Sequence, residues 1–346
     1  MPQASNSILV IRLGSLGDLV LMIPMLGELR RSAPGARICL VCKAKYAGLF
    51  EGNGLVDHLV RVERGDLREL VSIRRSLAEE RFDAIIDAHN VIRSNLLYRS
   101  LRARKKLQIR KSEAKKLFLI AGKIDLYRRA VTQAERYLEL ARELGCSPGG
   151  TDRLLPIPAG AAESASSILA RSGLGARPVV AMAPGARWPT KRWPLEHFSE
   201  LVQLVAKRGY SVALIGGEED TALGDALARE APGAAVTLAG RLSILESAAV
   251  LERCAALVTN DSAPLHLAEA VGTPVVAFFG PTVRQFGYYP RLPRSRALER
   301  SLGCRPCSRN GARPCPYGTK ECLVAIPPRE AFEALDDAVA ESGRKP

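Results

Sequence analysis

The sequence predicts an α/β protein of two doubly wound domains, and three observations carry that expectation. The chain has 346 residues, about twice the usual size of a domain. Both halves alternate short apolar runs with amphipathic stretches, the pattern of βαβ units around a mostly parallel sheet. Between the halves lies SPGGTDRLLPIPAG at 147–160, rich in Pro and Gly and without a period of its own. A first domain is therefore expected over 1–150, a linker over 151–160, a second domain over 161–326, and a closing helical stretch over 327–346.

The elements follow in order. ILVIRL is a strand, and a helix opens near Asp18. ARICLVCK and HLVRVE are strands. LRELVSIRRSLAEERF has apolar positions three and four apart and reads as a helix, followed by the buried strand FDAIIDAH. A basic helical region comes next and ends in TQAERYLELARELG, with Gly145 as the C-cap. In the second half the expected strands are VVAMAPG, SVALIGG, AAVTLAG, AALVTND and PVVAFFGPT. The helices between them are FSELVQLVAKRG, TALGDALAREAPG, LESAAVLERC and PLHLAEAVG.

The composition, 47% hydrophobic and 25% charged, is that of an ordinary globular protein. No run of about 18 apolar residues is present, so no transmembrane helix is expected. The start MPQASNSILVIRLGS lacks a basic n-region and a long apolar h-region, so no signal peptide is read there. The formal net charge of +14 favours anionic partners. Much of it lies between Arg93 and Arg129, where few acids offset the Lys and Arg residues. Aromatic residues are sparse in that stretch, so the stacking platforms of a single-strand nucleic-acid binder are missing. An acidic glycolipid or an anionic membrane surface fits better than nucleic acid.

Four loops at strand-to-helix junctions carry candidate chemistry. In Arg12-Leu-Gly-Ser-Leu-Gly-Asp18, Gly14, Ser15 and Gly17 allow close approach of a ligand to the backbone. The spacing matches neither a dinucleotide fingerprint nor a P-loop. Asp18 reads as a helix cap or as a general base held ionised by the helix start. In Ala183-Pro-Gly-Ala-Arg-Trp-Pro-Thr-Lys-Arg-Trp-Pro194, Lys191, Arg192 and Arg187 sit in a stiffened loop suited to a diphosphate, with Thr190 beside them. The alternative is packing by Trp188 and Trp193 with the cations in solvent. In Thr259-Asn-Asp-Ser-Ala-Pro-Leu-His266, a strand runs into a helix start whose N–H groups suit an anion. There Asp261 is a candidate acceptor for sugar hydroxyls, and His266 faces either a cleft or the core. In Gly216-Gly-Glu-Glu-Asp220, the acids suit ribose hydroxyls or complement a helix dipole; Glu219 is the candidate ligand.

Eight cysteines complete the inventory. Cys39 and Cys42 are an odd number apart in one expected strand and point to opposite faces, so they are poor joint ligands. Cys146 and Cys254 read as isolated buried thiols. Cys304, Cys307, Cys315 and Cys322 have the ligand count of a structural zinc site, with disulfides or free thiols as alternatives.

Taken together, GSLGD after the first strand, the PGA…TKRWP stretch, NDSAPLH and FFGPT resemble glycosyltransferase family 9, the lipopolysaccharide-core heptosyltransferases, over nearly the whole chain. The resemblance implies a GT-B architecture of two facing Rossmann-like domains. It implies an inverting transfer of heptose from a nucleotide sugar, ADP-heptose in the family, to a lipid A-core acceptor, with no cofactor or metal needed for catalysis. It implies a cytoplasmic protein, peripheral at the inner face of the inner membrane, and a last helix that crosses back onto the first domain. By the same resemblance Asp18 is the base and Lys191 a diphosphate contact. Asp261, Ser262, Ala263 and His266 form the donor loop. Arg93 and the basic stretch lie on the acceptor side. This chain has Ala-Pro after Ser262 where many members carry Gly-Leu or Gly-Met. Two other activities use comparable parts: a sugar-nucleotide epimerase, which needs no acceptor, and a non-catalytic binder of anionic membranes.

Overall fold

The structure is a computed structural model that describes residues 7–147 and 155–340. The chain divides into two compact units, one formed by residues 1–112 and 133–156, the other by 113–132 and 157–346. Of the expected linker, residues 151–154 lie outside the described residues, and the helix Ala159–Arg171 begins within the remainder.

In the first unit the strands are β1 (Ser7–Ile11), β2 (Arg37–Lys43), β3 (His58–Val62), β4 (Phe82–Asp87) and β5 (Ala103–Gln108). They pair in parallel in the order β3-β2-β1-β4-β5. Leu9, Ile11, Cys39, Val41 and Ile85 pack one face of this sheet with Val62, Leu70 and Leu97. Cys39 and Cys42 are both buried, and desolvation pushes each thiol up to about 12. β5 falls inside the region expected to be helical. Its sequence ARKKLQ forms the sheet edge with Lys105 exposed, and a charged, exposed edge strand discourages pairing with another chain.

The second unit contains β6 (Val179–Ala183), β7 (Ser211–Leu214), β8 (Ala235–Thr237), β9 (Ala256–Asn260), β10 (Val275–Phe279) and β11 (Arg296–Glu299), all parallel in the order β11-β10-β9-β6-β7-β8. β6, β7, β9 and β10 are buried along their whole length, as strands covered on both faces must be. The helix Pro328–Ala340 contributes to the core of this unit. Its Ala331, Leu335 and Val339 recur every four residues and enter the same core as Phe198 and Phe278.

Trp193 anchors the loop after β6 in that core. Its ring stacks on Phe278 at 4.1 Å, its Nε1–H donates to the carbonyl of Ile326 at 3.0 Å, and its backbone N–H donates to Asn260 Oδ1 at 2.9 Å. Trp193 is therefore packing. Replacing Trp193 with Ala is expected to cost roughly 3–5 kcal/mol, the range for a buried Trp. Chemical denaturation of the whole chain measures it. A loss below about 1 kcal/mol would mean that the cavity collapses and the loop is held by other contacts.

Candidate active site

Each unit gathers a charged cluster at the carboxyl ends of its strands, at the point where strand order reverses. Doubly wound sheets bind ligands there.

In the second unit that point lies between β6 and β9. Lys191, from the loop after β6, places Nζ 2.6 Å from Asp261 Oδ2, just past β9. Thr282, just past β10, donates its hydroxyl to the same carboxylate oxygen at 2.7 Å. The side chains of Lys191 and Asp261 are 14% and 5% exposed, so the pair is screened little by solvent. Ser262 caps the helix Ala263–Ala270, with Pro264 in its first turn and Ala263 at its first position. The first N–H groups of such a helix have no partner inside it. Thr190 donates its hydroxyl to the carbonyl of Gly311. A Cβ at Gly311, where φ is +93°, would come within 2.9 Å of Lys191 Cγ. Glycine there lets a distant loop press against the lysine stem.

The remaining candidates of this unit are more dispersed. Arg192 donates through Nε to the carbonyl of Ala186 at 2.8 Å, and Arg187 lies over the ring of Trp188. His266 is buried, with its ring 6.1 Å from that of Tyr288. Glu219 is exposed, and it is Asp220 that turns inward after β7. A Cβ at Gly185 would meet Asp220 Oδ1 at 2.0 Å, and one at Gly216 would meet its Cβ at 2.6 Å. Burial, acting against the hydrogen bond from Gly217 N–H, raises the Asp220 carboxyl above its ordinary value.

In the first unit the reversal lies between β1 and β4. Ser15 caps the helix Leu16–Leu21, and Asp18 stands at its third position rather than at the cap. Asp18 Oδ2 lies 2.5 Å from an Arg12 guanidinium nitrogen and accepts the Ser15 hydroxyl at 2.8 Å. The second terminal nitrogen of Arg12 donates to the carbonyl of Ala88, beyond β4, at 2.6 Å. The fully buried Tyr137 donates its hydroxyl toward Asp18 Oδ1 at 3.4 Å. Gly14, at φ +154°, passes so close to Tyr46 that a Cβ would sit 2.9 Å from the ring. Gly17 is buried in the short helix. Arg93 is exposed and lies by the Gly65 turn that follows β3.

Sequence patterns left Arg12, Tyr137, Thr282 and His89 without roles. Arg12 had a visible signal, a charge at the end of an apolar strand. Tyr137 and Thr282 had none, since only the fold brings them to their carboxylates. His89, half-buried after β4, is pushed down to about 3, first by burial and then by Arg12 and Lys111. It stays neutral in the folded chain while the unfolded chain protonates it near 6.5. Between those values the unfolded state binds more protons, so stability contributed above pH 6.5 drains away as pH falls toward 3, by at most about 1.4 kcal/mol per pH unit. His89→Gln is expected to flatten the stability profile in that window. A variant with the parent's slope would show that other groups set it.

The zinc expectation finds no support. Among the described residues no group of three or more His, Cys, Asp or Glu is arranged to hold a metal ion. Cys322 is buried in the core of the second unit, where desolvation pushes its thiol up to about 11. Cys315 lies nearer the surface, where desolvation raises its thiol but hydrogen bonds from the backbone of residues 317–320 together outweigh it and lower the thiol. None of the eight cysteines, all among the described residues, forms a disulfide. Among the described residues no helix is long and apolar enough to cross a membrane.

Two parallel sheets, each with a charged cluster at its reversal point, define a protein of GT-B architecture. The family model for glycosyltransferase family 9 (heptosyltransferase) matches residues 70–317, and the chain belongs to that family. It is 33% identical over 222 residues to lipooligosaccharide heptosyltransferase 2 of Haemophilus influenzae, a match spanning 60% of this chain and 62% of that one. It is 28% identical over 331 residues to lipopolysaccharide heptosyltransferase 1 of Pseudomonas aeruginosa, covering 91% and 88% of the two chains. Among solved structures, a family 9 glycosyltransferase from Veillonella parvula superimposes with a TM-score of 0.82 at 24% identity, covering 99% of both chains. The E. coli ADP-heptose LPS heptosyltransferase II superimposes at 0.74 and 24% identity, covering 97% and 99%.

Proposed function

We propose that the chain is an inverting glycosyltransferase that moves a heptose from ADP-heptose to a lipopolysaccharide inner-core acceptor. The observation that carries this reading is the Lys191–Asp261–Thr282 cluster beside the helix start at Ser262. A cation whose counter-ion is a neighbouring carboxylate, next to unpaired helix N–H groups, suits a diphosphate that gains charge as the sugar departs. Binding the donor exchanges Asp261 for phosphate at Lys191, and Asp261 then turns to sugar hydroxyls. Ala263 and Ser262 supply N–H groups, and Arg192, Thr190, Glu219 and His266 are the further donor-side candidates.

In this mechanism Asp18 is the base. Its Oδ2 faces Arg12 and Ser15, and its Oδ1 faces the Tyr137 hydroxyl at 3.4 Å; we assign the incoming proton to Oδ1. The acceptor hydroxyl loses its proton to that oxygen and attacks the anomeric carbon. The bond from that carbon to the diphosphate oxygen breaks, and its electrons leave with ADP. Gly14, Ser15 and Gly17 shape the acceptor side and Arg93 adds charge to it. No step needs a metal ion. The protein works as a peripheral protein at the cytoplasmic face of the inner membrane.

A thermal-shift series with ADP-, UDP- and GDP-sugars tests the donor. An ADP-sugar at a hundred times its dissociation constant is expected to add about 2.7 kcal/mol of stability, with no comparable response to the other two. Transfer to a lipid A-core acceptor is then followed by mass. Sugar-nucleotide conversion without any acceptor would identify an epimerase instead.

A further inference from the structure

Residues 113–132 leave the first unit and join the second. Lys123 Nζ donates to the carbonyls of Cys304 and Pro306, each at 2.8 Å. Asp125 accepts Gln285 Nε2 at 2.8 Å, and Glu113 pairs with Arg309. Both acids of the segment are thus engaged by the body of the unit. Its outer side is unusual. Leu117, Phe118, Ile124 and Leu126 are 64%, 50%, 52% and 45% exposed, within ten residues of one another. Lys115, Arg128 and Arg129 are exposed around them.

We infer that this segment is the surface by which the protein docks on an anionic lipid bilayer. Four exposed apolar side chains so close in sequence are unfavourable in water and favourable at a membrane interface. The flanking cations add attraction to acidic headgroups, whereas a second copy of this surface would set like charges against each other. The inference rests on the peripheral placement proposed above and assigns it to particular side chains. The segment also touches the loop that continues to Gly311, the residue pressed on Lys191, so docking and donor binding share one continuous structure.

The test is sedimentation of the full chain with vesicles of phosphatidylcholine alone or mixed with phosphatidylglycerol. Binding is expected to the mixed vesicles only and to weaken with salt. Leu117→Glu combined with Phe118→Glu is expected to abolish it. Lys115→Gln with Arg128→Gln and Arg129→Gln is expected to weaken it on the order of a hundredfold. All five side chains are exposed, so thermal melting reports that the variants remain folded. Undiminished binding by the folded Glu variant overturns the assignment. So does an absence of vesicle binding together with a dimer, seen by light scattering, that the Glu variant dissolves. Transfer to a detergent-solubilised acceptor is read in parallel. Its loss with docking intact counts against the enzymatic reading alone.

Discussion

Asp18→Asn is expected to lower turnover by roughly a hundredfold to ten-thousandfold, the range that a positioned general base contributes. Asn matches Asp in shape and can still accept from the Ser15 hydroxyl, so the loop geometry is retained. What it cannot do is take a proton at neutral pH. The substitution has a second consequence, because Arg12 loses its counter-ion in a buried setting. Breaking a buried pair from one side costs on the order of 3–5 kcal/mol, and the hydrogen bond from Arg12 to Ala88 offsets only part of it. Turnover must therefore be compared at a temperature where the variant is folded. The ADP-sugar thermal shift should survive, since its cluster lies in the other unit. Turnover near that of the parent would remove Asp18 as the base.

Lys191→Ala is expected to weaken donor binding by about 1.5–3 kcal/mol, the contribution of a hydrogen bond to a charged group. That is roughly tenfold to a hundred-and-fiftyfold in dissociation constant. It also strands the Asp261 carboxylate, 5% exposed, with Thr282 as its remaining side-chain donor. A loss of stability on the order of 3–5 kcal/mol is expected from that alone. The double variant Lys191→Met, Asp261→Asn separates the effects. It should recover most of the stability, because no buried charge is left over, yet it should not recover donor affinity. If Lys191→Ala binds the ADP-sugar as the parent does, the diphosphate is held elsewhere.

How much of this was legible beforehand depends on how local each signal is. Strands such as VVAMA and VVAFF declare themselves because both of their faces are covered. β5 did not, because an edge strand carrying Arg104, Lys105 and Lys106 in a row has the composition of an exposed helix. Lys191 and Asp261 were visible as charges at strand ends, but their pairing was not, since 70 residues separate them. That pairing changes what Asp261 does before any ligand arrives. Asp18 was visible too, while the buried Arg12 beside it and Tyr137, 119 residues away, come from the fold. The four late cysteines supplied a ligand count for which the described residues show no metal-holding group. A ligand count alone does not fix ligand geometry, which is what makes a site.

The excursion of residues 113–132 has one more consequence, for dissection of the protein. The chain passes between its units three times, after Ser112, after Thr132 and after Pro156. No single cut separates them. A fragment ending at Pro156 would keep Lys123 and Glu113 but lose Arg309, Gln285 and the carbonyls of Cys304 and Pro306. Its apolar helix would then have nothing to hold it, and aggregation is the expected fate of such a fragment. The complementary fragment would lack the strap that spans those same carbonyls. A workable first half needs residues 113–132 replaced by a short polar turn, and a workable second half needs them supplied as a separate peptide.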